Sequence, residues 1–213
     1  AKSSFDLLSE DVRRGLVSLG FSEPTEPQEQ AIPLILSGRS VLIVAPTGTG
    51  KTEAAVLPVF DLMLKLKRSL REGLEGVLAL YITPLRALNR DLWERLSSLA
   101  GSLGLTLEVR HGDTPQHERR RQALKPPDML ITTPETLQAL LAGRVMRRRL
   151  SSVKWVVVDE IHELVGDKRG VQLSVALERL KRLTKRSLQR IGLSATVGSI
   201  GVVKEFLAGS DGE

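Results

Sequence analysis

One segment limits the possible folds of this chain more than any other: residues 45–52, which read APTGTGKT. They follow an apolar run at residues 41–44 and precede a stretch with helical spacing at residues 53–66. A glycine-rich turn between a strand and a helix aims successive backbone N–H groups and the positive helix end at one anion. The segment therefore predicts a phosphate-binding loop within an α/β fold.

The side chains of this loop also suit a bound nucleotide. Lys51 is placed to reach the β- and γ-phosphates, and the Thr52 hydroxyl to ligate Mg²⁺, so the predicted cofactors are ATP and Mg²⁺. A glycine turn followed by a helix with a chance lysine is the alternative, and the strand directly before the turn argues against it. The predicted nucleotide-binding residues of the loop are Thr47, Gly48, Thr49, Gly50, Lys51 and Thr52.

Two adjacent acids, Asp159 and Glu160, directly follow the apolar residues 155–158. Open α/β sheets bind ligands at the carboxyl ends of their strands, which is where these acids fall. Neighbouring carboxylates point in different directions there, so Asp159 is expected to hold Mg²⁺ while Glu160 orients and deprotonates the attacking water. Helix capping is the alternative for the pair taken alone. The predicted catalytic residues are Lys51, Asp159 and Glu160, and the predicted metal ligands are Thr52 and Asp159.

Short apolar runs alternate with helical patterns along the whole chain. This alternation predicts a central, mostly parallel sheet with helices on both faces. Because residues 41–44 and 155–158 are apolar without alternation, we expect the two strands to be neighbours at the sheet centre. The predicted strands lie at residues 41–44, 77–82, 105–109, 129–132, 153–158 and 189–193.

The N-terminal part predicts helices ahead of the first strand. Apolar side chains recur at helical spacing over residues 5–19, with Ser4 placed to cap this helix and Gly20 to end it. A second helix is expected at residues 27–36. We expect residues 1–213 to form one domain, with N-terminal helices at residues 1–39 and the phosphate-loop core at residues 40–208.

Charge and composition narrow the class of protein. The net charge is +6, and arginine runs occur at residues 119–121 and 147–149. This balance favours a polyanionic partner, although a solvated helix face explains a single run equally well. Two Trp, one Tyr and four Phe are too few for stacked bases, so contacts to sugar and phosphate are expected. Without cysteines, long apolar runs or a signal-peptide pattern, we expect a soluble, cytoplasmic protein with no membrane partner.

Several short motifs resemble those of one large family. Residues 159–162 read DEIH, a DExH box, and residues 194–196 read SAT, similar to the coupling motif of superfamily 2 helicases. Their order and spacing with APTGTGKT resemble the first RecA-like domain of that superfamily, and DEIHEL, TGKTEAA and LSATVG are most similar to the large-helicase-related (Lhr) family of DNA helicases. The resemblance implies that His162 links the γ-phosphate to Ser194 and Thr196. A packed imidazole is the alternative for His162.

Further matches extend the resemblance over most of the chain. Residues 20–28 resemble the Q motif, whose glutamine, here Gln28, reads the adenine edge. Thr83 and Thr133 fall at strand ends before helices, where a hydroxyl and free N–H groups can hold a phosphate, and Arg86 adds charge. An ordinary helix start at Thr-Pro is the alternative. The nucleic-acid-binding residues implied by the family's groove motifs are Thr83, Pro84, Arg86, His111, Gly112, Asp113, Thr133, Pro134 and Glu135.

Two positions depart from common patterns: Ala45 departs from the usual phosphate loop in a way that resembles helicases more than kinases, and Asp11 departs from the helicase family itself. Ala45 stands where the phosphate loop usually has glycine, and Asp11 stands where the family's adenine-stacking aromatic usually lies. The stacking residue therefore stays unassigned. The departure at Ala45 leaves the Lys-Thr end of the loop untouched.

The resemblance implies the N-terminal ATP-binding motor domain of a nucleic-acid helicase. DNA is implied more than RNA, and an RNA helicase domain or an ATP-gated nucleic-acid-binding module are the alternatives. A kinase would leave the SAT and Thr-Pro segments unexplained. No second RecA-like domain with arginine fingers follows Thr196, so we expect a monomeric, nearly inactive motor half whose partner is that second domain.

Overall fold

A six-stranded sheet forms the centre of the protein. The computed structural model describes residues 2–70, 76–196, 198 and 200–208. All strand pairs of the sheet are parallel, in the order β1-β6-β5-β2-β4-β3, which confirms the predicted parallel sheet. The strands are β1 (Val41–Val44), β2 (Ala79–Ile82), β3 (Leu107–Arg110), β4 (Met129–Thr132), β5 (Trp155–Val158) and β6 (Gln189–Ser194).

Helices cover both faces of this sheet and bury a separate apolar cluster on each. Successive residues of β2 point to opposite faces: Tyr81 joins one cluster, while Leu80 and Ile82 join the other. Among the described residues, no helix is both long and apolar enough to cross a membrane. The helices are α1 (Glu10–Ser18), α2 (Glu26–Leu36), α3 (Lys51–Ser69), α4 (Arg90–Ser102), α5 (Gln116–Leu124), α6 (Pro134–Ala142), α7 (Arg144–Arg149), α8 (Ile161–Leu164), α9 (Lys168–Thr184) and α10 (Ile200–Ala208).

The expected pairing of β1 with β5 is wrong. β6 lies between them, and β1 forms one edge of the described sheet. All four residues of β5 are buried, whereas only Ile43 of β1 is. An uninterrupted apolar run thus indicated two buried faces correctly for β5 and incorrectly for β1, because a parallel edge strand can carry the same composition.

Parallel pairing brings the carboxyl ends of all the strands to one edge. In the registers, Val44 lies opposite Ser194, and Ile82 lies opposite both Val158 and Thr132. The loops that follow these strands carry the sequence motifs, so they leave the sheet side by side. The sheet topology is what brings the motif residues together.

The N-terminal region differs from the single predicted helix. A 3-10 turn at Ser4–Leu7 is capped by Ser3 rather than by Ser4, and α1 begins afresh after Ser9. The break is held from outside, since the Ser9 N–H donates to the fully buried carboxylate of Asp61, 2.9 Å away on α3. Apolar spacing alone carries no sign of such a tertiary hydrogen bond.

Candidate nucleotide and nucleic-acid site

The phosphate loop bends through two glycines in the left-handed region. Gly48 has φ 81°, and Gly50, the N-cap of α3, has φ 79°. These backbone angles are unfavourable for any residue that carries a Cβ atom. Gly50 is also crowded: a Cβ there would lie 2.4 Å from Nε2 of Gln28. The turn places the start of α3 at the carboxyl edge of the sheet. The N–H groups of the first turn of α3 lack intrahelical partners and can bind a ligand there.

Lys51 is the first residue of α3 and turns its side chain back over the loop. Its Nζ donates to the carbonyl oxygen of Ala45, at the beginning of the motif. Burial lowers the pKa of Lys51, and the charges of Asp159 and Glu160 oppose that change. A cation near two acids and at the first turn of a helix, whose N–H groups lack intrahelical acceptors, is placed to accept a polyphosphate.

Asp159 is fixed by two hydrogen bonds on different oxygens. The buried Tyr81 hydroxyl donates to Oδ2 at 2.6 Å, and the Glu160 N–H donates to Oδ1 at 2.8 Å. Burial raises the pKa of Asp159, while these two bonds and the charge of Lys51 lower it. Burial, Asp159 and its hydrogen bond together raise the pKa of Tyr81 well above its ordinary value, so the phenol stays a donor.

Glu160 has an unusual backbone. Its φ of 51° places it in the left-handed region, which only Lys185 shares among the described residues other than glycine. Residues held in that region cost free energy and cluster at functional sites. Burial raises the pKa of the Glu160 carboxyl first, and the negative charge of Glu163 raises it further.

One cavity of about 500 Å³ brings the two halves of the predicted site together. Its walls include residues from the phosphate loop, from the acidic pair and from the DExH histidine. Sequence reasoning placed these residues in one site, and the cavity they enclose suits a polar ligand. The predicted residues that line it are Thr47, Gly48, Lys51, Thr52, Asp159, Glu160 and His162.

The predicted coupling residues make two separate contacts, and one of these residues, His162, also lines the cavity. The Ala195 N–H donates to Nδ1 of His162 at 3.4 Å, so this ring nitrogen acts as an acceptor. Ser194 Oγ donates to the Thr196 carbonyl at 2.9 Å and accepts from its N–H at 3.3 Å. The imidazole therefore joins α8 to the segment after β6 rather than packing in a core.

The side-chain amide of Gln28, predicted to read adenine, is buried and already hydrogen-bonded within the chain. Gln28 is only 2% exposed, its Nε2 donates to the Gly50 carbonyl at 3.2 Å, and its Oε1 accepts from the Thr25 N–H at 3.0 Å. Both ends of the amide are thus used within the chain. Its observed contacts tie the start of α2 to the phosphate loop.

The predicted phosphate contacts of Thr83 and Thr133 are not available in this structure. Both residues are buried, at 0% and 1% exposure, and the Thr83 N–H donates to Thr132 O at 3.0 Å. The Thr133 hydroxyl caps α6 by accepting from the Thr136 N–H and bonds to the Thr136 hydroxyl at 2.8 Å. The helix-start reading is therefore correct for Thr133 Oγ1, because the hydroxyl serves its own helix.

The other predicted groove residues divide by exposure. Pro84 and Pro134 are buried, whereas Arg86 and Glu135 are exposed at the same sheet edge. Glu135 lies in the first turn of α6, where its N–H has no intrahelical acceptor. These two positions are accessible to a ligand.

The third groove segment, residues 111–113, forms a turn tied to itself. The Asp113 N–H donates to Nδ1 of His111 at 3.1 Å, and the His111 N–H donates to the Thr114 hydroxyl at 3.0 Å. Arg119 donates to the Gly112 carbonyl and, at 2.7 Å, to the Thr114 carbonyl. The loop is preformed, with Gly112 and Asp113 exposed.

Comparison with known proteins agrees with this arrangement. The sequence profile of the DEAD/DEAH box helicases matches residues 25–203, from the segment before Gln28 to α10. The chain belongs to the DEAD/DEAH box helicase family. This result confirms the superfamily inferred from the motifs, and the relatives below confirm the similarity to the Lhr group.

Helicases of the Lhr group are close in sequence and structure to this family member. The ATP-dependent helicase Lhr-Core of Sulfolobus acidocaldarius is 42% identical over 198 residues, 89% of this chain but 22% of that protein. The Mycobacterium smegmatis helicase Lhr, solved with single-stranded DNA and AMP-PNP, superposes with a TM-score of 0.86 at 36% identity, over 98% of this chain and 27% of that one. The DEAD-box helicase Mss116, at 20% identity and a TM-score of 0.85, shares the fold. The chain thus spans about a fifth of the length of the curated relatives it matches.

The helicase cavity also has lining residues that the sequence analysis missed. Arg95 of α4 donates to Oε1 of Glu53 from two guanidinium nitrogens, at 2.9 and 3.1 Å, beside Thr52. Tyr81 was missed as well, although a lone tyrosine inside a buried strand needs a partner for its hydroxyl, which was a usable signal. No comparable signal marked the others. The lining residues outside the predicted set are Phe21, Glu53, Ala87, Asn89, Asp91, Leu92, Arg95, Leu193 and Ala195.

A second cavity of about 600 Å³ lies on the other side of the phosphate loop, between α2 and β1. Thr49 lines this cavity and not the first, since its hydroxyl turns back to the Pro46 carbonyl at 2.6 Å. The lining is largely apolar, with Leu34 and Val41 among it, and Glu26 is its one charged residue. This cavity suits an apolar group better than a polyphosphate.

Proposed function

We propose that this chain is the ATP-binding motor domain of a nucleic-acid helicase, acting on DNA. The observation that carries the proposal is the shared cavity, because Lys51 and the pair Asp159 and Glu160 come from distant segments and line one space. Binding of AMP-PNP by the M. smegmatis Lhr relative, solved with that nucleotide, supports ATP as the ligand. The sequence similarity to Lhr-Core helicases supports the reaction class.

The residues present fit a magnesium ion bound together with nucleotide. The Thr52 hydroxyl and the Asp159 carboxylate line the cavity, and hard oxygen donors are what Mg²⁺ prefers. Phosphate oxygens and waters would complete the shell of an ion held by these two protein oxygens. When bound, the ion would neutralise charge on the β- and γ-phosphates.

The protein groups around that ion have separate roles in the proposal. Lys51 holds the terminal phosphates, and Glu160 accepts the proton of the attacking water. His162 transmits the state of the phosphate end to Ala195, whose N–H it holds. Tyr81 keeps Asp159 in position by its hydrogen bond.

The nucleic acid is proposed to lie along the same edge of the sheet. Arg86 and the first turn of α6 at Glu135 are its accessible groups, and the net charge of +6 favours a phosphate backbone. DNA is preferred over RNA because the relative solved with single-stranded DNA is 36% identical, whereas Mss116, solved with single-stranded RNA, is 20% identical. The buried hydroxyls of Thr83 and Thr133 play no direct part.

Hydrolysis by this chain alone is proposed to be very slow. Arginine fingers supplied by a second RecA-like domain raise rates of phosphoryl transfer by roughly 10³–10⁵. The share of the relatives that the chain spans, about a fifth, is consistent with a motor half that needs such a partner. Brisk DNA-stimulated turnover by these residues alone would contradict this part of the proposal.

Binding measurements across a salt series test the function as a whole. Labelled single-stranded DNA and RNA of one sequence are titrated with the chain, with and without Mg·AMP-PNP, between 50 and 200 mM salt, a range over which phosphate contacts are strongly screened. We expect the logarithm of the association constant to fall linearly with the logarithm of the salt concentration. We also expect DNA to bind more tightly than RNA, and nucleotide to change the affinity.

A flat salt response would reject a nucleic-acid function. Tighter RNA binding would favour an RNA helicase. Nucleotide-dependent DNA binding by a full-length protein that hydrolyses ATP without unwinding would favour a gated binding module.

A further inference from the structure

Arg86 joins the predicted nucleic-acid groove to the predicted water-activating residue. Its guanidinium donates to Oε2 of Glu160 at 2.9 Å and forms a second ion pair with Glu163. The arginine belongs to the 3-10 turn Leu85–Ala87, directly after β2, whereas the two acids flank the start of α8. The contact therefore bridges two strands' loops at the ligand edge of the sheet.

The bridge occupies the group that hydrolysis needs. A carboxylate oxygen bonded to a guanidinium is not free to accept a hydrogen bond from water on that side. The Glu160 backbone is held in the left-handed region with its N–H bonded to Asp159 Oδ1, so its backbone position is fixed while its carboxylate bonds to Arg86. Arg86 consequently controls where the Glu160 carboxylate lies.

The same guanidinium remains accessible to a ligand. The Arg86 side chain is 60% exposed, while the side chains of Glu160 and Glu163 are 33% and 30% exposed. Guanidinium groups bind phosphate in the same bidentate geometry in which they bind carboxylate. A nucleic-acid phosphate at this edge is thus a direct competitor of the two acids for Arg86.

We propose that Arg86 is a positioning residue that couples nucleic-acid binding to ATP hydrolysis, by exchanging its carboxylate partners Glu160 and Glu163 for a backbone phosphate. Without nucleic acid, the ion pair holds the Glu160 carboxylate and keeps hydrolysis slow. A bound phosphate draws the guanidinium away and releases Glu160 toward the water. The inference rests on the proposed function and adds the regulation of its catalytic site.

Oligonucleotide binding by the chain provides the first test. Arg86→Gln removes the phosphate contact, so affinity should fall roughly two- to fivefold, as for one exposed ion pair, and the log–log salt slope should decrease by about 1. Glu163→Gln removes one competitor for the guanidinium, so affinity should rise by a similar factor. In the double variant Arg86→Gln/Glu163→Gln, the gain from Glu163→Gln should disappear.

Arg14 and Glu10 provide matched controls. Arg14 is a 70% exposed arginine that also pairs with two acids, Glu10 at 3.0 Å and Asp11 at 3.7 Å, but it lies on α1. Arg14→Gln changes the net charge by the same amount as Arg86→Gln, and Glu10→Gln by the same amount as Glu163→Gln. We expect each control to change oligonucleotide affinity less than its counterpart at Arg86 or Glu163. A gain from Glu163→Gln that persists without Arg86, or that Glu10→Gln reproduces, would reflect general charge and overturn the inference.

Hydrolysis in the full-length protein is the second test, measured with and without saturating oligonucleotide. Arg86→Gln should raise the hydrolysis rate without oligonucleotide, and so lower the ratio of the rate with oligonucleotide to the rate without it. Arg86→Lys should restore part of this ratio because it keeps a cation. A purely structural arginine would lower both rates together, and that result would overturn the inference. If the wild type neither binds nor responds to any oligonucleotide, the proposed function fails, independently of Arg86.

Discussion

The phosphate-loop cavity and the predicted nucleic-acid edge, formed by the loops that begin at Thr83 and Thr133, lie at the same end of one sheet. Their motif side chains nevertheless face different surroundings. In the cavity, Lys51, Asp159 and Glu160 direct charged groups into a shared space. At the nucleic-acid edge, Thr83 and Thr133 direct their hydroxyls into the protein. The motif side chains of the first region thus face a cavity, whereas the two threonines of the second region face the interior of the protein.

This difference explains why the two sets of motifs predict function with different accuracy. A charged group at a strand end is costly to bury unpaired, so its presence indicates a ligand or a partner. A threonine before a helix has a purely local use as an N-cap, which Thr133 shows. The comparison can be tested by variants that should change binding in one region and only stability in the other.

The largest effect is expected for Lys51→Ala. In the proposed function Lys51 holds phosphate, so nucleotide affinity should fall roughly 10- to 100-fold, as for a lost charged hydrogen bond worth about 1.5–3 kcal/mol. Titration of a fluorescent ATP analogue measures this loss, and circular dichroism checks the fold. Lys204→Ala, which removes an exposed lysine of α10, should leave affinity unchanged. Equal affinity of the two variants would rule out the cavity as a phosphate site.

The two loop glycines should differ in stability when each is changed to alanine. Gly48→Ala meets no atom within 4 Å and pays only for its positive φ, roughly 1–2 kcal/mol. Gly50→Ala carries the same strain and also meets Gln28 Nε2, which is held by its own hydrogen bonds, adding about 1–3 kcal/mol. Urea unfolding of both variants measures the difference. Identical losses would show that Gln28 does not brace the loop.

Much of the fold and of the cavity follows from local patterns in the sequence. The strands were predicted correctly because short apolar or β-branched runs alternate with helical patterns along the chain. The loop was predicted correctly because few turns need Gly48, Gly50 and Lys51 in that order. The position of β1 at the sheet edge did not follow, since strand order depends on which helix faces fit together. The break before α1 did not follow either, because it depends on Asp61, far along the chain.

The parts of the site that sequence reasoning missed are of the same non-local kind. Arg95 reaches the cavity through its pairing with Glu53, a contact between two helices that no short string encodes. The bridge from Arg86 to Glu160 crosses from one strand's loop to another's. Motif strings thus identify the residues that we propose to contact phosphate, and only the fold identifies the residues that position them.

Two threonine variants test the nucleic-acid edge. Thr133→Val removes the cap of α6 and should lower the free energy of unfolding by about 1 kcal/mol. Thr83→Val replaces a buried hydroxyl that has no hydrogen-bond partner, so stability should stay the same or rise. We expect oligonucleotide affinity to be unchanged in both, measured beside their unfolding curves. A weaker affinity in either folded variant would show that its hydroxyl contacts nucleic acid after all.

The smallest effect concerns pH. Burial raises the pKa of Asp159 above its ordinary value, and the Tyr81 hydroxyl lowers it again. Mg²⁺ requires the ionised carboxylate, so Mg²⁺-dependent nucleotide affinity should fall as the pH drops through this raised pKa. Tyr81→Phe removes the lowering bond, so the fall should begin at higher pH than in the wild type. Titrations of nucleotide with and without Mg²⁺ across acidic pH measure the shift, and coincident profiles would contradict the role given to Tyr81.

A crystal structure of this chain with AMP-PNP and Mn²⁺ tests the central claim most directly, since anomalous scattering locates the metal. The account predicts the triphosphate in the cavity between Gly48 and Asp159, with Lys51 Nζ released from the Ala45 carbonyl to the terminal phosphates and the metal between Thr52 and Asp159. A triphosphate in the cavity between α2 and β1, or a metal that contacts neither residue, would contradict it.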